Sequence, residues 1–407
     1  MAKVLQSRVA LQALALALIL LLLSAGAALA RSTEDAKAEG GGKARLGHAR
    51  AVNGLKCVAG RSKRVRLVRS RGRCVRKPAA VSTAAPSPIY WGATIGDHIT
   101  GTQAPWDMSS VSRFESSVGK AVSMINFFQP FANCPSGNCS FYKFPSGPMD
   151  LIRGHGSIPV FTWASQSTPS SLNEPDFQLS DVISGRYDEY LRGFAEESRD
   201  WGHPYFLRFN WEMNGDWFPW SEEVNGNQPG EYVAAWRHVH DIFTAVGATN
   251  ATWVWCPNVD PAGSMQDLAP LYPGDEYVDW TGLDGYNWGT NPASPKGWKS
   301  WDGLFRDTYD EITGQIAPSK PMMIGETGAT EIGGSKAAWI KDALGRIPTE
   351  YPSIRALLWF DKFDDGMDWP IETSSSATAA FAEGIQHSSY LGNSYGSLGS
   401  GTVPVPG

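Results

Sequence analysis

"PYFLRFNWEMNGDWFPW", residues 204–220, begins as a strand and ends as a ring-lined loop. Its first part, "PYFLRFN" (204–210), is short and mostly apolar, the pattern of a strand buried on both faces. The rest places Glu212 among Trp211, Trp217, Phe218 and Trp220, with Arg208 and Asp216 nearby. A packed core would give these rings apolar neighbours rather than Arg, two Asn, Glu and Asp. A sugar cleft uses the mixture: flat apolar faces for pyranose rings, polar groups for their hydroxyls.

Outward from this stretch the strand pattern recurs. "IYWGAT" (89–94), "AVSMINFF" (121–128) and "IPVFTW" (158–163) precede it. "ATWVWC" (251–256), "VDWTGLDGY" (278–286), "PMMIGE" (321–326) and "IRALLWF" (354–360) follow. Amphipathic stretches such as "RYDEYLRGFAEESRDWG" and "GSKAAWIKDALGRI" lie between them. Alternation of buried strands with helices predicts a parallel sheet, and eight repeats predict an α/β fold of the (β/α)8 TIM barrel type. An open doubly wound sheet is the alternative; no strand-to-helix turn carries the glycine-rich phosphate loop that would favour it.

A barrel carries its chemistry at the C-terminal ends of its strands. Glu212 follows the fourth predicted strand, Glu326 closes the seventh, Tyr286 ends the sixth and Trp359 the eighth. A lone glutamate after a strand is ordinarily a helix cap or a solvated loop acid. Two of them, in ring-rich motifs after strands four and seven, point instead to a carboxylate pair for glycoside hydrolysis. In the retaining version the two groups stand ~5–5.5 Å apart. Glu212, between Trp211 and Met213, suits the acid/base, whose pKa must be raised by burial and a neighbouring carboxylate. Glu326, in "IGETGA", suits the nucleophile, with glycines that let a substrate approach and Tyr286 as hydrogen-bond donor. Trp217, Trp220, Trp288 and Trp359 are candidate stacking platforms, and each is equally a candidate for the core.

The 407 residues hold 17 Trp, 13 Tyr and 17 Phe, and the Trp count also fits a large core. Residues 1–30 read as an export signal: Lys3 and Arg8, an apolar run, then Ala28-Leu29-Ala30 for cleavage. A secreted chain with no membrane attachment after cleavage is expected. Residues 31–88 carry 15 Lys/Arg against 3 Asp/Glu, a net +12, and residues 89–407 carry −20. The basic segment reads equally as a small strand pair or as a disordered linker, and suits anionic surface polymers; nucleic acid fits an exported chain poorly. The acidic region favours a neutral polymer.

Five cysteines leave at least one free. Cys134 with Cys139 and Cys57 with Cys74 are candidate bridges, and Cys256 reads as an inert core thiol. No zinc-type spacing is present, and His238 and His240 point to different faces of a helix. "DKFDDGMD" (361–368) does not match a calcium loop and reads as solvated. No metal and no organic cofactor is implied. The Gly/Ser-rich tail 386–407 reads as disordered, and a monomer is expected.

"RFNWEMNGDWFPW", "YVAAWRHVHDIF", "TWVWCPN", "YVDWTGLDGYNWG", "IGETGA" and "ALLWFD…DWPI" together resemble glycoside hydrolase family 26, in family order over residues 89–385. The resemblance implies a (β/α)8 retaining glycosidase, most often an endo-β-1,4-mannanase, with some members acting on mixed-linkage β-glucan or β-xylan. It implies Glu212 as acid/base, Glu326 as nucleophile, Tyr286 as the nucleophile's partner, and Trp217 and Trp359 near the sugar. Arg208, Trp211 and Trp288 complete the expected substrate-binding set. Two departures lie where a sugar's hydroxyls would be felt. Trp211 stands where many mannanases of the family have His, and "FTWASQ" lacks an acid after its Trp. The sequence thus predicts a secreted endo-β-glycanase, with β-1,4-mannan first and β-1,3-1,4-glucan or xylan as alternatives. A non-catalytic carbohydrate-binding barrel is the competing class.

Overall fold

The computed structural model describes residues 87–260, 265–292 and 297–407, and the backbone of 67–70 and 73–76. Eight parallel strands follow one another: β1 (Ile89–Ile95), β2 (Met124–Asn133), β3 (Ile158–Thr168), β4 (Tyr205–Phe209), β5 (Ala251–Trp255), β6 (Trp280–Asn287), β7 (Met322–Ala329) and β8 (Ile354–Asp361). Each pairs with the next, and β8 pairs with β1, so the sheet closes into a (β/α)8 barrel. Strand burial is nearly continuous, which explains why the strands read as apolar runs rather than as alternating patterns.

The longer helices are α1 (Met108–Val118), α2 (Ser146–His155), α3 (Asp188–Trp201), α4 (Glu231–Val246), α5 (Trp301–Glu311), α6 (Lys336–Glu350) and α7 (Ser375–Ile385), with a short one at Leu179–Ile183. In α3, Leu191, Phe194, Ala195 and Ser198 are buried, the one-face spacing of an amphipathic helix. Ser300, Ser335 and Ser374 cap α5, α6 and α7, each accepting a backbone N–H three residues on. Such a cap stabilises by about 1 kcal/mol. After β5 the alternation fails. Among the described residues that connection holds only the short turn Ala269–Leu271. Pro257, Pro261, Pro270 and Pro273 punctuate it and deny a helix its N–H donors.

Outside the barrel, rings pack between strands and helices. Trp163 of β3 stacks on Phe194 of α3 at 4.2 Å and meets Phe243 of α4. Inside, beneath the C-terminal ends, the layer is polar. Asn126 donates to Thr94, Thr162 donates to Asn126, and Arg208 donates to Thr162. These groups are buried, so mutual hydrogen bonding is the condition for their presence.

Several expectations change. Strands β2 and β3 run to Asn133 and Thr168, past their last apolar residues, because Ala132 and Asn133 pair with Ser167 and Thr168. The predicted Cys134–Cys139 bridge closes the turn after β2. The tail is not disordered. Val403 is buried, its N–H donates to Thr252, and Pro404 and Pro406 accept from Tyr90 and Arg355. Those bonds cover the N-terminal ends of the strands, a tertiary role that Gly/Ser composition does not disclose. Of the basic segment, Leu67–Ser70 and Arg73–Arg76 form an antiparallel pair, the strand alternative. The export signal and the Cys57–Cys74 bridge lie outside the described residues.

Candidate active site

The chain leaves β4 under constraint. Asn210 and Glu212 both have positive φ, 43° and 53°, a region that costs a side-chain-bearing residue free energy. Cross-strand bonds hold them there: Asn210 N–H donates to Trp163 O, and Glu212 N–H to Cys256 O. The amide of Asn210 also pairs with Ser165. This turn aims Glu212 across the barrel mouth. Its two oxygens accept from Trp217 Nε1 and Asn258 Nδ2, each at 2.7 Å.

Glu326 faces it from β7. It lies inside the strand rather than at its end, just after a shift in the β6–β7 register. Such a bulge re-aims the following side chain. Gly325 makes the shift possible. A Cβ there would lie 2.6 Å from Asp284 Oδ1 and 2.9 Å from Arg208 Nε. Of the two "IGETGA" glycines, Gly325 therefore makes room for the buried charges below the site rather than for a substrate, while Gly328 lies against the cleft residues Trp369 and Tyr286.

Glu326 Oε1 accepts from Arg208 Nη1 at 3.1 Å and Oε2 from Tyr286 Oη at 2.6 Å. Arg208 turns its other terminal nitrogen to Asp284, which also accepts from the Cys256 thiol. Burial pushes that thiol's pKa well up, so it remains a donor. Cys256 is thus free and buried as expected, but it belongs to this polar group rather than to an inert core. Arg208 is fully buried and remains charged between its carboxylates. It cannot touch substrate; its predicted place in the binding set is corrected to that of a buried counter-ion.

One carboxylate oxygen from each of Glu212, Asp284 and Glu326 lies within 4.8 Å of the others. Burial, then the charge of Glu326, raises the pKa of Glu212 to about 7, against the lowering effect of the Asn258 and Trp217 donors. Tyr286 is raised by burial and by Glu326, so it stays a hydroxyl that can donate.

The pair opens into a cleft of about 820 Å³ whose walls include Phe128, Trp211, Trp217, Tyr286, Trp288, Phe360 and Trp369. Trp217 is 38% exposed, the most open of these predicted rings. Trp211 is propped by Phe128, Phe218 and Trp220, with the Arg208 guanidinium 5.9 Å from its ring. Trp288 meets Trp369 edge-on. Two predicted platforms are not in the cleft. Trp359 is buried against Trp339 and Phe381 of the helical layer. Its neighbour Phe360 faces the cavity, because adjacent strand residues point to opposite faces. Trp220 is buried behind Trp211, donating to its carbonyl.

Sequence reasoning passed over Asn258, Asp284, Phe360 and Trp369. Asn258 was visible only as the last letter of "TWVWCPN". The loop 361–368 is not simply solvated: Asp361 is buried, while Asp364 and Asp365 border the cleft.

An eight-stranded barrel with a carboxylate pair in an aromatic cleft defines a class of carbohydrate-active barrels. Residues 156–307 match Glycosyl hydrolase family 26, a stretch that holds Arg208, Glu212, Asn258, Asp284 and Tyr286. This stretch, 152 of the 407 residues, is similar to that family. The chain is similar to Endoglucanase H of Acetivibrio thermocellus, 39% identical over 241 residues, 58% of this chain and 25% of that protein. It is also similar to a mannan endo-1,4-beta-mannosidase of Bacillus subtilis, 27% identical over 241 residues, 56% of this chain and 60% of that protein. The chain thus spans between a quarter and three fifths of these relatives' lengths. Its fold is shared with an endo-beta-1,4-mannanase double mutant of Cellulomonas fimi, with TM-score 0.55 and 19% identity over 78% of this chain and 76% of that one.

Proposed function

We propose that this chain is a secreted, endo-acting, retaining β-glycanase. The observation that carries the reading is the approach of Glu212 and Glu326, with carboxylate oxygens within 4.8 Å. That spacing suits a covalent intermediate and leaves no room for the water that an inverting pair holds across ~6.5–9.5 Å.

Glu326 attacks the anomeric carbon while Glu212 gives its proton to the departing glycosidic oxygen. A glycosyl ester forms on Glu326 and the leaving saccharide departs. Glu212, now a carboxylate, takes a proton from water; the oxygen adds to the anomeric carbon and Glu326 is released. Arg208 and Tyr286 donate to the nucleophile and keep it aimed. Trp217 and Trp288 offer faces to the sugar rings. A cleft of this volume has room for an oligosaccharide rather than a single ring.

For the polymer, β-glucan moves ahead of β-1,4-mannan. Endoglucanase H is the more similar named relative, at 39% against 27% for the mannosidase. Trp211 also presents an indole beside the acid. Incubation with mixed-linkage β-glucan, mannan and xylan, with the anomer of the first product followed by NMR, tests the reading. Retention on β-glucan is expected; inversion ends the mechanism, and preference for mannan reverses the substrate order. No product from any polymer would favour the binding-protein alternative. The signal-like residues 1–30 support secretion, and the basic residues 31–88 support attachment to an anionic surface polymer.

A further inference from the structure

A second cluster of titratable groups lies at the β8–β1 seam, outside the carboxylate pair. His98 comes from the loop after β1, Asp361 is the last residue of β8, and Glu372 lies in the turn Ile371–Thr373. His98 Nε2 stands 3.4 Å from Glu372 Oε2 and 3.5 Å from Asp361 Oδ2. Charge-assisted hydrogen bonds run to about 2.7–2.9 Å, so these spacings are long for ion pairs. They match another geometry. Ligands ~2.0–2.2 Å from a tetrahedral zinc-type ion are separated by about 3.3–3.5 Å.

Independent atoms point the same way. Asp361 is fully buried; its Oδ1 accepts from Ile371 N–H, yet its Oδ2, aimed at the cluster, has no hydrogen-bond partner among the described residues. A buried carboxylate oxygen with no hydrogen bond, only the His98 ring nitrogen 3.5 Å away, is costly unless a cation meets it closely. The nearby cation Lys336 is committed elsewhere, donating to Asp368 O, Pro370 O and Thr373 Oγ1. Glu372 keeps its side chain 30% exposed, which leaves an entry path and a face for a water ligand.

We propose that His98, Asp361 and Glu372 form a structural site for a divalent cation of the zinc class, completed by water, that ties the loop after β1 to the loop after β8. One imidazole nitrogen and two carboxylates suit zinc, where an all-oxygen shell would suit calcium. The tie would steady the segment that carries Phe360 and Trp369 into the cleft. Binding replaces the His98 Nε2 proton by the ion and releases that proton to solvent.

The test uses the untagged full-length chain, stripped with chelator and dialysed against Zn²⁺ and, separately, Co²⁺. One ion per chain, visible absorption of tetrahedral cobalt and a raised melting temperature are expected. His98→Ala and the more conservative, solvent-side Glu372→Gln should each weaken uptake at least tenfold and remove the cobalt spectrum. Glu212→Gln should leave both intact, since the carboxylates of the cleft are the competing location. Failure to take up a stoichiometric ion would leave only a protonated His98 between two acids and overturn the proposal. So would uptake lost in Glu212→Gln but unchanged in His98→Ala and Glu372→Gln.

Discussion

The two glutamates of the cleft are the same side chain in opposite settings. Glu212 is buried among rings and receives only neutral donors, an indole and an amide. Glu326 receives a guanidinium and a phenol, and stands above a second carboxylate that shares the same arginine. Neutral donors in a dry pocket leave a proton on Glu212 near neutral pH; Glu326 is instead held by a guanidinium. The donor type therefore divides the labour before substrate arrives. One side of the barrel offers a proton donor, the other a carboxylate held by a cation, and the proposed roles of acid/base and nucleophile rest on that contrast.

The contrast breaks most visibly at Glu326. Glu326→Ala should lower kcat by on the order of 10⁴-fold or more, since the covalent step has no other nucleophile. Near-full turnover in this variant would void the assignment. Glu212→Gln should cost about 10²–10⁴-fold on polysaccharide, the usual weight of general acid–base catalysis. It should cost much less in the first step on an aryl glycoside, whose leaving group departs unprotonated; burst kinetics separate the two steps. Equal losses on both substrates would show that Glu212 is not the proton donor.

Arg208 sharpens the comparison through stability. Arg208→Met strands Asp284 and Glu326 as buried carboxylates without their cation. Breaking a buried pair in this way costs about 3–5 kcal/mol, and urea denaturation should read it. The variant should also lower kcat more than it raises KM, because Arg208 Nη1 holds the Glu326 carboxylate without touching substrate, a split that mere loosening of the fold would not produce. Glu212 acts oppositely on stability. Its folded pKa, about 7, lies above its ordinary value of 4.5. The folded state thus holds the extra proton between those values, and stability falls as pH rises through that window. Glu212→Gln should abolish this fall and melt higher than the parent above pH 7.

Much of this was legible in the sequence, and the remainder was not, for identifiable reasons. All eight strands were visible because each is buried on both faces and reads as an apolar run. Glu212 and Glu326 were visible because barrel chemistry is confined to strand ends. Which ring faces the cleft depends on strand parity, and a shift of one residue decides it. Trp359 and Phe360 are neighbours, yet one packs on helices and the other lines the cavity. Arg208 looks like a potential substrate contact until its burial is known, and nothing local singles out its partner Asp284. Their role belongs to the barrel interior, where three strands converge and no local pattern records the meeting. The tail misled through composition: its carbonyls and one valine bind the barrel, and Gly/Ser content carries no trace of that.

Asn258 offers the finest adjustment. Its amide donates to Glu212 Oε1 and so favours the ionised acid, opposing the effect of burial. Loss of that donor must raise the pKa of Glu212. Under the proposed mechanism Glu212 is protonated in the first step, so activity should fall on the alkaline side as that proton leaves. Asn258→Ala should therefore carry the alkaline limb of kcat/KM to higher pH while leaving the acidic limb in place. Deglycosylation should slow, because Glu212 must then work as a carboxylate and has lost a group that held it in that form. A pH profile that shifts as a whole would mean that the two carboxylates titrate as one unit. The division between a dry side and a charged side would then describe the substrate complex rather than the free protein.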